Sequence, residues 1–204
     1  MDANTIRLLD VPDTCRTERL VLRVVRPGDG ETITQAKADS MERLQPWFPW
    51  AQEVGSVEEN ESWGRGVYAA FWNRTSVGFE IRLPENDELI GMIGIHNRKI
   101  DPLFWELGYW LRTGHEGKGY MTEAAKACTG FAFEYLKAEK VIIRADSRNT
   151  PSQKVAERCG YHFDGTLRWY EKDAMDPEKR IDMCFYSLIR PEYEANQDFY
   201  KVLQ

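Results

Sequence analysis

Residues 115–120 read His-Glu-Gly-Lys-Gly-Tyr, between an apolar run from Phe104 to Leu111 and a helix-like run from Met121 to Leu136. Two glycines flanking a lysine, where a strand ends and a helix begins, restrict what the chain can become. Backbone N–H groups stay bare there, the chain can approach a ligand closely, and the helix start adds partial positive charge. The stretch therefore reads as an anion-binding turn, most naturally for phosphate, with an ordinary strand-to-helix loop as the alternative. It is not a nucleoside-triphosphate P-loop. Such a loop needs glycine where Arg112 stands and Ser or Thr where Gly119 follows Lys118.

The rest of the chain supplies a mixed α/β pattern. Residues 1–15 have no clear period and read as a peripheral arm. Arg19 to Arg26 reads as a first strand, stopped by Pro27-Gly28, and Asp29 is placed to cap a helix over Glu31 to Met41. Leu44 to Trp50 holds Trp47, Phe48 and Trp50 between Pro46 and Pro49, an aromatic segment suited to pocket wall, core lining or dimer contact. Ser56 and Glu59 have capping-box spacing and open a helix to about Asn73, with Trp63, Val67, Ala70 and Phe71 on one face. Val77 to Leu83 and Glu88 to His96 read as strands joined by the Pro84–Asp87 turn. In the strand Phe104 to Leu111, Glu106, Gly108 and Trp110 share a face opposite Trp105, Leu107, Tyr109 and Leu111. After the glycine turn come an amphipathic helix and a short buried strand, Val141 to Asp146. A helix follows, with Thr150 as cap and Pro151 at its first position, ending at Gly160. Two strands close the pattern, Tyr161 to Glu171 and Arg180 to Arg190. The order is antiparallel first, then a strand–helix–strand crossover expected to be parallel and right-handed.

Composition narrows the function. Its 204 residues fit one domain, and a formal net charge of -6 disfavours general nucleic-acid binding. No apolar run approaches a membrane span and nothing marks export, so a cytoplasmic location is expected. Cys15, Cys128, Cys159 and Cys184 lie far apart with no CxxC, and the three histidines are scattered. A metal centre is not expected.

Four stretches, in order, carry a resemblance: Thr17-Glu18-Arg19-Leu20-Val21-Leu22-Arg23; Leu44-x-Pro46-Trp47; Trp105 to Leu111 running into Gly117 to Ala124; and Asn149-Thr150-Pro151-Ser152 with Glu157 to Tyr161. Together they resemble the GNAT superfamily of acyl-CoA-dependent N-acetyltransferases, specifically the RimJ/RimL-type ribosomal-protein N-terminal acetyltransferases. The resemblance spans most of residues 16–190. It implies a GNAT fold: a central, mostly antiparallel sheet with one parallel strand pair splayed for CoA, and helices on both faces. It implies acetyl-CoA as cosubstrate, its pyrophosphate on residues Glu116, Gly117, Lys118, Gly119, Tyr120 and Met121. Backbone N–H groups near Leu111 and Arg112 would hold the thioester oxygen and pantetheine, and Asn149 would bond the pantetheine arm. Glu106 would be the base, directly or through water, and Ser152 the acid for the departing thiolate. Trp47, Trp50 and Tyr109 are candidates for the acceptor pocket. The family turn usually carries Gln or Arg where Glu116 stands and a small residue where Met121 stands. Homodimers are common in the family, and the tail from Glu192 to Gln204 is a candidate contact. The expected acceptor is a protein α-amino group. A small amine, or a non-catalytic acyl-CoA sensor, are the alternatives.

Overall fold

A computed structural model describes residues 3–97 and 103–201; the ends of the N-terminal arm and of the tail lie outside the described residues. In chain order the elements are helix α1 (Ala3–Arg7), strands β1 (Thr14–Arg16) and β2 (Val21–Val24), and helices α2 (Gly30–Ala38), α3 (Met41–Leu44) and α4 (Val57–Trp72). Strands β3 (Ser76–Arg82), β4 (Leu89–Asn97) and β5 (Phe104–Leu111) follow, then helix α5 (Tyr120–Glu134) and strand β6 (Lys140–Asp146). Helix α6 (Thr150–Arg158), strands β7 (His162–Lys172) and β8 (Arg180–Ile189) and helix α7 (Arg190–Glu194) complete the chain, with 3-10 turns at Pro49–Gln52 and Gln197–Tyr200.

The eight strands form one sheet in the order β1-β2-β3-β4-β5-β6-β8-β7. Every neighbouring pair is antiparallel except β5 and β6, joined through α5. That pair matters most for the site. Its register runs from Phe104 opposite Lys140 only to Leu107 opposite Ile143, although β5 continues to Leu111 and β6 to Asp146. Beyond those residues the strands part, leaving backbone donors and acceptors that a ligand can take up.

The main core lies between the sheet and α5. Trp105 and Leu107 on β5, Phe79 on β3, and Ala124, Cys128, Phe131 and Ala132 on α5 are all buried. The Phe79 and Phe131 rings meet edge-on at 5.0 Å. Burying each such side chain contributes roughly 1.5–3 kcal/mol. The alternation read from the sequence fixes which face of β5 is buried, with Glu106, Gly108 and Trp110 left on the other. The capping box at Ser56 also forms: its hydroxyl accepts from Glu59 N–H while the Glu59 carboxylate accepts from Ser56 N–H.

Several local expectations need correction. The helix expected over Glu31 to Met41 is two: α2 stops at Ala38 and α3 begins at Met41. Asp29 precedes α2 but gives no side-chain cap, because its carboxylate accepts from Arg26 N–H and Arg23 instead. Trp63 does not share the buried face of α4 with Phe71; it is exposed. Asn149, not Thr150, caps α6: its Oδ1 accepts from Ser152 N–H at 3.2 Å. The arm holds an edge strand, with Val11 and Cys15 buried. The tail packs back on the domain through Tyr193 and Tyr200, which join the main core.

Candidate active site

The glycine turn is built from behind. Thr17 and Arg19 both reach Glu123 on the first turn of α5: the Thr17 hydroxyl donates to Oε1 at 2.6 Å and the Arg19 Nε to Oε2 at 2.7 Å. Arg19 also donates to the Lys118 carbonyl at 3.0 Å and lies 4.9 Å from the Tyr120 ring centroid. Burial alone would raise the Glu123 carboxyl, but these donors outweigh it and hold it below the ordinary carboxylate range. Carbonyls and side chains of the turn are thus held, while its N–H groups are left open. Among the described residues, no N–H from Gly117 to Thr122 donates to an acceptor of the chain. Gly117 and Gly119 have φ of 74° and 84°, in the left-handed region that favours glycine. A Cβ at Gly117 would meet nothing within 4 Å. Bare donors on a helix start, with glycines clearing the approach, fit a diphosphate.

The turn opens into a cleft of about 1760 Å³ that runs past the parted ends of β5 and β6. Gly108 lies in that gap, and a Cβ added there would meet nothing within 4 Å. On the same strand face, Glu106 lines the cleft, and its Oε1 accepts from Arg144 Nε at 3.0 Å. Arg144 also pairs with Glu171 on β7, whose side chain is 41% exposed and lines the cleft. One guanidinium therefore orients two carboxylates toward one space. Sequence reasoning missed both Arg144 and Glu171. Trp47 and Phe48 form part of the opposite wall.

Across the sheet, on the α6 side, Tyr109 meets Ser152. The tyrosine hydroxyl donates to the Ser152 carbonyl at 3.1 Å, and Ser152 Oγ donates to the tyrosine oxygen at 3.3 Å. Tyr109 lines the same cleft as Trp47, with its hydroxyl engaged by Ser152. Burial pushes its phenol well above the usual value, so it stays protonated at neutral pH. Asn149 borders the cleft beside this pair. Cys159 is buried, burial pushes its thiol up to about 12, and Sγ points to the Thr122 carbonyl at 3.5 Å. It is a packed thiol.

Two expected residues stand elsewhere, Arg112 and Trp50. Arg112 N–H donates to the Ile90 carbonyl at 2.8 Å and its guanidinium pairs with Asp39, so those donors are taken and the residue is absent from the cleft lining. Leu111 does line the cleft. Trp50 lies behind the wall, 5.1 Å from the Phe48 ring and 6.2 Å from Trp110. Glu116 lines the cleft but is turned aside: Oε1 accepts from Arg43 at 3.0 Å and Oε2 from Gly114 N–H at 2.8 Å. Met121 is buried beneath the turn. Among the described residues, no cluster of His, Cys, Asp or Glu is placed to hold a metal ion, and no helix is long and apolar enough to cross a membrane.

Comparison with known proteins agrees with this geometry. Residues 19–162 match the model of the acetyltransferase (GNAT) domain. The chain is 30% identical over 189 residues to a putative ribosomal N-acetyltransferase, YdaF, of Bacillus subtilis, covering 90% of this chain and 99% of that one. It is 29% identical over 164 residues to the ribosomal-protein-serine acetyltransferase of Escherichia coli, covering 78% and 89%. Among solved structures, a putative ribosomal-protein-serine acetyltransferase from Vibrio cholerae superposes with a TM-score of 0.70 at 26% identity, covering 88% and 99%. The RimL ribosomal L7/L12 α-N-protein acetyltransferase in complex with coenzyme A superposes at 0.78, with 21% identity and coverage of 89% and 98%. With a family model matched over most of its length and a parted parallel strand pair beside a bare glycine turn, the chain belongs to the GNAT acetyltransferase family, with RimJ/RimL-type relatives, and is an N-acetyltransferase.

Proposed function

We propose that the chain moves an acetyl group from acetyl-CoA to the α-amino group of a protein N-terminus, by direct attack with both substrates bound. The observation that carries this reading is the gap at Gly108, where β5 and β6 stop pairing. It has a bare phosphate turn at one end and the Glu106 carboxylate beside it. Gly117 to Thr122 hold the diphosphate through backbone N–H groups, and Asn149 lies along the carrier's arm. When bound, the cosubstrate supplies an acyl thioester, an electrophile with a good leaving group.

The chain's own groups do the rest. An α-amino group is roughly 10% neutral at pH 7, whereas a lysine side chain is neutral below about 0.1% of the time. Either amine must lose a proton to attack, and the lysine far more rarely presents the reactive form. Glu106 takes that proton on a carboxylate oxygen, directly or through one water, with Arg144 fixing its rotamer. On the other side of the sheet, the Ser152 hydroxyl gives a proton to the departing thiolate. The Tyr109 phenol oxygen, which accepts from that hydroxyl at 3.3 Å, holds it in position. The buried, protonated Cys159 argues against an acyl-cysteine route. The relatives named for ribosomal proteins support a protein acceptor.

The test measures thiol release from acetyl-CoA with an N-terminally free peptide, the same peptide Nα-blocked but carrying lysine, and spermidine. Preferential release with the free N-terminus supports the reading. Preference for spermidine or for the blocked peptide overturns the acceptor assignment.

A further inference from the structure

Glu116 is the misplaced charge of the phosphate turn. A carboxylate beside a diphosphate is repulsive unless something answers it. The answer in this structure is Arg43 on α3, whose Nη1 lies 3.0 Å from Glu116 Oε1. The two side chains are 64% and 36% exposed and line the same cleft as Gly117, Lys118 and Gly119. An exposed pair of this kind adds little to stability. Its partner Glu116, however, is held in place. The other Glu116 oxygen accepts from Gly114 N–H, so the carboxylate is fixed on both sides. Two further bonds tie the same corner of the chain to the same loop: Arg112 to Asp39 Oδ2 at 2.5 Å, and Thr113 N–H to Ser40 Oγ at 3.1 Å.

A guanidinium presents five N–H donors in a rigid fork. Among the described residues, Glu116 is the one side chain that Arg43 bonds, so most of the fork is left for the cleft. We propose that Arg43 is a ligand for the cofactor's phosphates, aimed by Glu116, so that the helix before the aromatic wall supplies the charge that the turn lacks at position 116. The inference rests on the acetyl-CoA reading above and adds to it a residue from outside the glycine turn. It also gives Glu116 a purpose: the carboxylate positions the cation that offsets it.

The experiment compares calorimetric CoA affinity, and kcat/KM with acetyl-CoA against S-acetylpantetheine, which lacks the phosphates. Arg43→Ala should weaken CoA binding by about tenfold to a hundredfold, the usual cost of a charged hydrogen bond. Its effect on kcat/KM should be several-fold larger with acetyl-CoA than with S-acetylpantetheine. Arg43→Lys should recover part of the affinity. Adding Glu116→Gln to Arg43→Ala should also recover part, because an unanswered carboxylate is removed. Thermal melting of each variant checks that it folds. CoA affinity within twofold of the parent in Arg43→Ala, or equal losses with both donors, overturns the inference while leaving the acetyl-CoA reading intact. Failure of the parent chain to bind CoA overturns both.

Discussion

Gly108→Val is expected to separate folding from chemistry. Gly108 sits on β5 opposite Gly94, with β6 already parted from it, and has no positive φ that would strain an L residue. A Cβ there meets nothing within 4 Å. Valine should therefore cost no stability, and relief of glycine's backbone entropy in a strand adds about 0.5–1 kcal/mol in its favour. The side chain would project on the Glu106 face, into the gap where amine and thioester must meet. A displacement of about 1 Å in such geometry costs about 10²-fold, so turnover should fall by at least that factor, or roughly 3 kcal/mol of barrier. Gly91→Ala is the counter-example on the neighbouring strand: its Cβ would stand 2.4 Å from the Trp110 carbonyl oxygen. That variant should lose about 1–3 kcal/mol of stability by overpacking. Thermal melting together with thiol-release kinetics reads both. A Gly108→Val protein with normal melting and normal turnover would refute the placement of the reaction at this gap.

Other expectations follow from the same geometry. Glu106→Gln keeps an oxygen for Arg144, so melting should hardly move while turnover drops by the 10²–10⁴, or about 3–5 kcal/mol, typical of general-base loss; unchanged turnover removes Glu106 from the mechanism. Gly130→Ala drives a Cβ to 2.3 Å from the Tyr200 carbonyl, and should loosen the tail and cost about 1–3 kcal/mol in denaturant unfolding. The Glu123 carboxyl, depressed in the fold from an ordinary value of 4.5, contributes stability that is present above that value and lost as pH falls below it. Glu123→Gln should therefore lower melting most at neutral pH, with the gap to the parent closing in acid; a gap that stays constant with pH would contradict the assignment.

Much of the fold was legible because its signals are local. The glycine turn, the capping box and the two faces of β5 follow from spacing alone, and each appears where spacing places it. Glu171 was not legible, for a physical reason. Strand β7 shifts register twice, and between Leu167 and Glu171 four residues on β7 advance against two on β8. Alternation therefore fails to say that Glu171 faces Arg144. Arg144 itself looked like a polar residue in a short buried strand until the sheet set it between two carboxylates. The Arg112 assignment failed because its backbone N–H is claimed by Ile90 across the sheet, a non-local bond. The tail was legible only as a candidate dimer contact, yet Tyr200 packs against α5 at Gly130 and its hydroxyl donates to the Cys159 carbonyl at 2.9 Å. The Thr17 and Arg19 pattern was visible as a motif, but its purpose, holding Glu123 and the turn carbonyl, needed residues about 100 positions away.

The most direct measurement incubates the protein and acetyl-CoA with a peptide that carries both a free N-terminus and an internal lysine, and locates the added acetyl group by fragment-ion mass spectrometry. The expected product carries a single acetyl on the α-nitrogen, absent without enzyme and strongly reduced with Glu106→Gln. Acetyl found on the lysine alone, or a yield that Glu106→Gln leaves unchanged, would contradict the proposed function.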